Sequence, residues 1–490
     1  MRRSTRAATA VLAVLPLLAV GMAGGATPAP NGSDAPSVST TSARAPDPRP
    51  NIVAITADDM RVSDLEAMPR LRRLLRQRGT TFARSYATFP LCCPSRASFL
   101  TGQYAHNHGV LDNEQPLGGY AAFDPSSTVA TWLDDAGYQT AFVGKFINEY
   151  GAVTPVTVPP GWDDFHASIG GGHYFETTLF ENGAPTTYDG PYQTDVYGRV
   201  ASDLIEERVA RRAPLFLWAS FYAPHVGRPR EPDDPGINTP AVAPRHRDRF
   251  ADRPLRSPRS FDEPDVSDKP RHVRQRPRLS ADLQAQMRES YQQRLESLLA
   301  LDAAVGRIVA TLRRSGELPN TVVLFTADNG WMMGEHRIHA GKTVVYEPST
   351  RVPLIVRGPG FPAGTKRHQL VANIDVAPTF AALARTRPGL RVDGRSLLPL
   401  ARRPSVGRDR RLVLEAGPRS RNAPMFYTAV RTDRWLYVEY GETGERELYD
   451  MDRDPHQLVN QARNPAYREH RQRLARRLAE LRDCAGRGCR

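Results

Sequence analysis

Four apolar, β-branched runs in this 490-residue chain each end abruptly in polar or charged residues: "NIVAITADD" closing on Asp58 and Asp59, "QTAFVGK" on Lys145, "PLFLWASFYAPH" on His225 and "NTVVLFTADNG" on Asp328 and Asn329. Near-continuous apolar runs of this length read as parallel strands buried on both faces. Helical patterns lie between them, clearest in "YQQRLESLLALDAAVGRIVATLRRSGELPN", where Leu295, Leu298, Leu299, Val305, Ile308, Val309 and Leu312 share a face. Strands alternating with helices predict an α/β fold with a sheet covered on both sides. Ligands of such sheets bind beyond the carboxyl ends of the strands, so all six polar strand-end residues are expected at one edge.

Two of these ends match, Thr-Ala-Asp-Asp and Thr-Ala-Asp-Asn. Three carboxylates and an amide oxygen in one place repel unless a cation sits among them, and an all-oxygen set suits Ca²⁺ or Mg²⁺ rather than zinc. Taken singly, an Asp pair after a strand is equally a turn or helix cap. Asp302, on the apolar face of the long helix, is accounted for by a buried hydrogen bond as readily as by chemistry.

The ends of the chain set its context. "MRRSTRAATAVLAVLPLLAVGMAGGATPAP" has the basic start, apolar run and small residues of a secretory signal over residues 1–26, and residues 27–49, rich in Pro, Ser, Thr and Ala, read as a flexible tether. A secreted protein with no later membrane span is expected, with a catalytic domain over 50–400 and a smaller subdomain over 401–490. The net charge of +13 is concentrated in residues 245–278 and 468–490, two runs with an excess of five positive charges each. Neither run interleaves aromatics, which speaks against nucleic acid; affinity for another polyanion or a solvated surface remains. The first run, with Arg271, Arg274 and Arg276, follows the strand that presents His225. Leu474, Leu478 and Leu481 mark a docking face on a terminal helix, and Cys484 and Cys489 read as a small disulfide loop in an exported chain.

The other two of the four cysteines are adjacent, in "LCCPSRASFLTG". Pro94 suits a first helical turn, so Cys92 is expected at a helix N-terminus, where free N–H groups and the dipole favour an anion, with Arg96 one turn on. The arginine comes four residues after Cys92, which does not fit a phosphatase loop with six, and a Cys-X-X-Cys redox pair is absent.

Cys92-Cys93-Pro94-Ser95-Arg96 followed by Leu100-Thr101-Gly102 resembles the signature of the sulfatases, and the likeness continues through "GQYAHNHGV", "GKFINEY", "SFDEPDVSDKP", "FTADNGWMMGEHRIHAGK" and "ELYDMDRDPHQLVN". The motifs look most like the N-acetylglucosamine-6-sulfatase and arylsulfatase branch. The resemblance implies an alkaline-phosphatase-like α/β sandwich with a large, mostly parallel sheet and a smaller C-terminal antiparallel sheet, and it implies that the basic run 245–278 lies near the rim of the site. It implies conversion of Cys92 to formylglycine by a formylglycine-generating enzyme before folding, with Cys93 filling a variable position. Asp58, Asp59, Asp328, Asn329 and the converted Cys92 would hold Ca²⁺, with Mg²⁺ second. Arg96 would stabilise the hydrated aldehyde, and Lys145, Lys342 and His225 would bind the sulfate of a sulfated glycan or aryl sulfate. The hydrate oxygen would attack sulfur, with a proton from His225 or Lys342 going to the leaving alcohol. Many sulfatases carry a histidine two or three residues beyond the first active-site lysine; Ile147 and Asn148 stand there in this chain. His336, His106 and His108 are candidate substitute bases, each equally accounted for by a structural hydrogen bond. A phosphodiesterase or phosphonate monoester hydrolase of the same superfamily is the nearest alternative, and a silent binder of sulfated glycans is another.

Overall fold

The structure, a computed structural model, describes residues 47–152, 156–209, 213–420 and 422–490. The expected signal segment 1–26, and the expected tether up to residue 46, lie outside the described residues. The last three residues of that expected tether are held to the protein surface: Arg49 pairs with Asp47, donates to the Ala136 carbonyl and lies over the Tyr138 ring at 5.1 Å.

The large sheet has eleven strands: β1 (Asn51–Ala57), β2 (Thr80–Tyr86), β3 (Gln139–Gly144), β4 (Asp164–Ile169), β5 (Glu176–Glu181), β6 (Ala184–Asp189), β7 (Leu215–Ser220), β8 (Thr321–Ala327), β9 (Arg351–Val352), β10 (Leu354–Arg357) and β11 (Thr365–Ala372). Its centre runs β8-β1-β7-β3-β4, all parallel. The four apolar runs are therefore neighbours, and every residue of β1, β3, β7 and β8 is buried. Antiparallel pairings extend both flanks, through β5 and β6 on one side and through β10 and β2 on the other; β11 then pairs parallel with β2.

Alternate side chains of these strands feed two separate cores, as a pleat with period two requires. Val53, Ile55, Leu217, Val323 and Phe325 pack with helices α2 (Gln193–Val209) and α3 (Ala281–Arg314), whereas Ile52, Ala54, Phe216 and Leu324 pack with α1 (Cys92–Thr101) and α4 (Val376–Leu383). Ser280 caps α3 by accepting from the Leu283 amide, and of the seven expected core residues on that helix only Leu299 is less than fully buried. Asp302 accepts the backbone amides of Arg70 and Leu71 at 3.0 and 2.8 Å, which is a structural use.

A second sheet of four antiparallel strands follows in the chain: β12 (Leu412–Ala416), β13 (Tyr427–Arg431), β14 (Trp435–Tyr440) and β15 (Arg446–Asp450). Helix α5 (Arg468–Leu481) buries Leu474, Leu478 and Leu481 in the core of this sheet, beside the Cys484–Cys489 disulfide. Among the described residues no helix is long and apolar enough to cross a membrane.

His106 ties this tail to the rest. Its Nδ1 lies 2.9 Å from the Glu415 carboxylate and its Nε2 3.0 Å from the Cys484 carbonyl. Burial disfavours the imidazolium, but Glu415 and the carbonyl outweigh it and raise the pKa to about 9. A histidine raised above its unfolded value of about 6.5 stabilises the fold fully below that pH and loses its contribution as pH rises through the folded value. Thermal melts of His106→Gln should therefore differ most from wild type near pH 6 and converge above pH 9. A constant difference across that range would show that the histidine acts by packing alone.

Candidate active site

Helix α1 starts at Cys92, after Leu91 in an extended conformation, and ends at Gly102 in the left-handed region (φ 71°), whose amide returns to the Ser98 carbonyl. All ten residues of the helix are buried, so it is inserted on all sides between the sheet and α4. That insertion delivers Cys92 to the carboxyl edge of the sheet, among the strand ends.

There the Cys92 Sγ lies 2.9 Å from Lys342 Nζ, 3.4 Å from Lys145 Nζ and 3.5 Å from Asp58 Oδ1. Lys145 also donates to Asp58, and Lys342 to Asp59. Cys92, Asp58 and His225 offer polar atoms within 4.8 Å of one another, as do Asp58, Asp59 and Asp328. The Asp59 amide and the Asn329 amide both donate to Asp328 Oδ1, and Asn329 Nδ2 donates to Asp59 Oδ1 at 2.6 Å. Lys145 follows directly on Gly144, where φ is 110° and a Cβ would fall 1.9 Å from the Ser220 carbonyl. Only glycine lets β3 end so close to β7.

The charges explain one another. Burial raises the carboxyl pKa values, and against it Lys145, His225 and Arg96 hold Asp58 low, while Lys342 and His225 do the same for Asp59. Asp328 is left pushed up to about 6 by burial and by the Asp58 charge. Three buried carboxylates of which one resists ionisation form a set that a cation would complete. Asp59 Oδ2 and Asn329 Oδ1 are buried and accept no hydrogen bond, so the two oxygens without partners are acceptors facing no donor. The donor set therefore fits a hard divalent ion. Burial, with Asp58, also pushes the Cys92 thiol up to about 11, so the unmodified side chain is a protonated, weak nucleophile.

Arg96 is fully engaged. Its Nε lies 2.9 Å from Asp328 Oδ2, and its other nitrogens donate to the Lys145 carbonyl, to Ser220 Oγ and to Asp58 Oδ2. It clamps two carboxylates and the Lys145 backbone together rather than pointing a free donor at Cys92. His225 donates from Nδ1 to the Val226 carbonyl at 2.7 Å, since a carbonyl can only accept, which leaves Nε2 toward Asp59 at 3.6 Å. Burial lowers its pKa to about 4.

The structure does not bring the other histidines into the cluster. His336 Nδ1 is 2.6 Å from Glu263, which also meets the buried Lys269, and its ring packs on Tyr346. His106 serves the C-terminal tail as described, and His108 Nε2 bonds Ser98 Oγ at 3.0 Å. Cys93 is more than a filler: its fully buried Sγ accepts the Asn148 amide at 3.1 Å, and its amide donates to Asn113, fastening the loop that carries Lys145. Ser220, Tyr222 (5.1 Å beneath Lys145 Nζ), Trp331 (5.9 Å from Lys342 Nζ) and Arg294, which donates to the Asp59 carbonyl, complete the surround. None of the four carries a sequence signal of its own, except that Ser220 and Tyr222 lie on the run leading to His225.

The family profile for sulfatases matches residues 50–386, and one described as N-sulphoglucosamine sulphohydrolase, C-terminal, matches residues 334–484. This chain belongs to the sulfatase family. It is 34% identical to an arylsulfatase of Volvox carteri over 90% of this chain and 76% of that protein. It is 31% identical to the human N-acetylglucosamine-6-sulfatase over 90% of this chain and 86% of that one. A solved structure described as a complex with its substrate D-glucosamine-2-N,6-O-disulfate superposes with a TM-score of 0.73 at 24% identity, covering 88% of this chain and 97% of that one. The sulfatase is thus a sulfuric ester hydrolase with the alkaline-phosphatase-like α/β fold.

Proposed function

We propose that this sulfatase is secreted and removes 6-O-sulfate from N-acetylglucosamine-type units of a sulfated glycan, using formylglycine made from Cys92 and one bound Ca²⁺. The observation that carries the reading is the position of the Cys92 side chain, within hydrogen-bond distance of two lysines and one carboxylate of a set with unsatisfied oxygens. Asp58, Asp59, Asp328 and Asn329 would hold the ion, which would neutralise their charge and polarise a sulfate oxygen. Converted Cys92 would supply a hydrated aldehyde, whose second hydroxyl gives what serine or cysteine lacks for releasing sulfate.

The rest of the chemistry falls to side chains. Lys145 and Lys342, kept charged by Asp58 and Asp59, donate to the sulfate oxygens and stabilise charge that develops there. His225, with Nδ1 fixed on Val226, has only Nε2 to offer the leaving alcohol and must be doubly protonated to act as the acid. Arg96 is a positioning residue that holds Asp58 and Asp328 at one point. With Ile147 buried and Asn148 in the place of the common histidine, His225, within 4.8 Å of Cys92, is the imidazole available for proton transfer in both directions.

Export is supported by the basic-apolar-small pattern of residues 1–26 and by the Cys484–Cys489 disulfide, which persists in oxidising surroundings. The similarity to N-acetylglucosamine-6-sulfatases supports the choice of glycan. Steady-state kinetics on N-acetylglucosamine 6-sulfate and its 6-phosphate analogue test the reading. The expected result is sulfate release with kcat/KM at least about 100-fold above phosphate release, a gap of near 3 kcal/mol in transition-state binding. Preference for the phosphate ester would point instead to a phosphoester or phosphonate ester hydrolase of the same superfamily.

A further inference from the structure

A cavity of about 540 Å³ lies at the seam between the two sheets, and no residue of the catalytic cluster lines it. Its walls come from β2, β9 and β11, from the end of β13, from the segment after β15 and from the loops that follow β1 and β8. Six Lys or Arg side chains line it against three Asp or Glu.

The balance of donors and acceptors is more telling than the charge. Arg61, Arg431 and Gln457 are 7%, 3% and 1% exposed, and Arg61 Nη1, Arg431 Nε and Gln457 Nε2 have no hydrogen-bond partner. The nearest carboxylate oxygen to Arg431 Nε, on Glu347, is 3.6 Å away, beyond hydrogen-bond length. All three orphans are donors. Two of the three acids of the wall are already in use, Glu335 by Arg61 Nη2 and the Met333 amide and Glu347 by the Tyr86 hydroxyl, and the third, Asp452, is exposed at the margin. Lys366, His368 and His456 also line the cavity, and among the described residues their side chains have no ionic or hydrogen-bond partner. Buried donors without acceptors forfeit their hydration with nothing in return. Three of them in one basic cavity describe a receptor for a group that brings several acceptors and negative charge.

The volume narrows the choice. A lone tetrahedral oxyanion would fill a small part of 540 Å³, whereas a sugar unit carrying one is of the size such cavities hold. A second basic cavity, of about 530 Å³ with seven arginines against three acids, adjoins it where Arg84 of the first wall bonds Asp433 of the second. Consecutive basic cavities suit a chain of anionic units. We propose that the seam cavity is a non-catalytic site for a sulfated saccharide unit, which holds a glycan polymer at a place separate from the one where its ester is cleaved. The saccharide part rests on the proposed function; the anion part rests on the cavity alone.

Titration calorimetry on the full-length Cys92→Ala protein tests this, because that variant does not consume the probe. The probes are a tetrasaccharide bearing glucosamine 6-sulfate, its desulfated form and inorganic sulfate. The tetrasaccharide should show two sites, and Lys366→Glu with His456→Glu, both changes on unpaired side chains, should weaken one of them by about ten-fold or more and spare the other. In the otherwise wild-type enzyme the same pair of changes should leave kcat and KM on a small aryl sulfate unchanged and raise KM on the polymer. A single site, or two sites indifferent to the charge reversal, overturns the proposal. Equal binding of the desulfated probe overturns anion recognition, and inorganic sulfate binding as tightly as the tetrasaccharide overturns the saccharide assignment. Failure of the wild type to cleave any sulfate ester would sink the catalytic reading and leave the two-site result standing.

Discussion

Cys92→Ala should abolish sulfate-ester hydrolysis, by a factor on the order of 10⁶, the scale on which deleting a covalent nucleophile acts. The neighbouring Cys93→Ala should behave quite differently. Its sulfur is buried and fastens the Asn148 amide, so its loss should cost about 1 kcal/mol of stability and shift the melting point while kcat stays within a few-fold of wild type. The contrast separates chemistry from packing at two adjacent and equally buried positions. Comparable activity loss in both variants, with equal destabilisation, would mean that Cys92 too is only structural.

The second large effect is expected at Asp328. Its Oδ1 gathers the amides of Asp59 and Asn329 and its Oδ2 meets Arg96, so it joins the two strand ends and the cysteine helix. Asp328→Ala should lower bound calcium and hydrolysis together, by more than the roughly 10–100-fold that loss of a ligand's supporting partner brings. Calcium content by atomic emission and kinetics after chelation check it. Undiminished turnover in exhaustively chelated variant protein would show that the carboxylates serve only to pair Lys145, Lys342 and Arg96. Asp328→Asn serves as the companion variant, keeping the hydrogen bonds to both amides while removing the charge.

The central sheet was legible because its strands are buried on both faces, so β1, β3, β7 and β8 are uninterrupted apolar runs that no solvent-facing alternation dilutes. β2, written "TTFARSY", and β6, written "APTTYD", were not, since each carries polar residues at half-exposed positions and is a strand only by virtue of its partner. The same division holds at the site. Asp58, Asp59, Asp328 and Asn329 sit where strands stop, a position written in the chain. Ser220 beneath Arg96, Arg294 on the Asp59 carbonyl and the clamp role of Arg96 arise where segments far apart in sequence meet. His336 misled because a histidine six residues before the site lysine looks available; its partner Glu263 lies 73 residues earlier, and together with Lys269 it forms a buried charge cluster of its own.

The basic run 245–278 shows the same limit. Arg274 binds the Lys269 carbonyl and Glu445, fixing this segment to the β14–β15 turn, and Arg276 donates back to the His272 carbonyl. Two of the three arginines expected at the rim thus support local structure. Unpaired basic side chains gather instead at the seam of the two sheets, from β11 and the segment after β15, where charge counting along the sequence shows no run at all.

The account turns on the chemical state of one side chain, and peptide mass spectrometry of active protein reads it directly. The tryptic peptide "SYATFPLCCPSR", Ser85 to Arg96, should carry an aldehyde at Cys92, seen as the mass lost when the CH₂SH group becomes CHO and as a hydrazone after derivatisation, with Cys93 still a thiol. Two intact thiols in a fully active preparation would contradict the formylglycine mechanism.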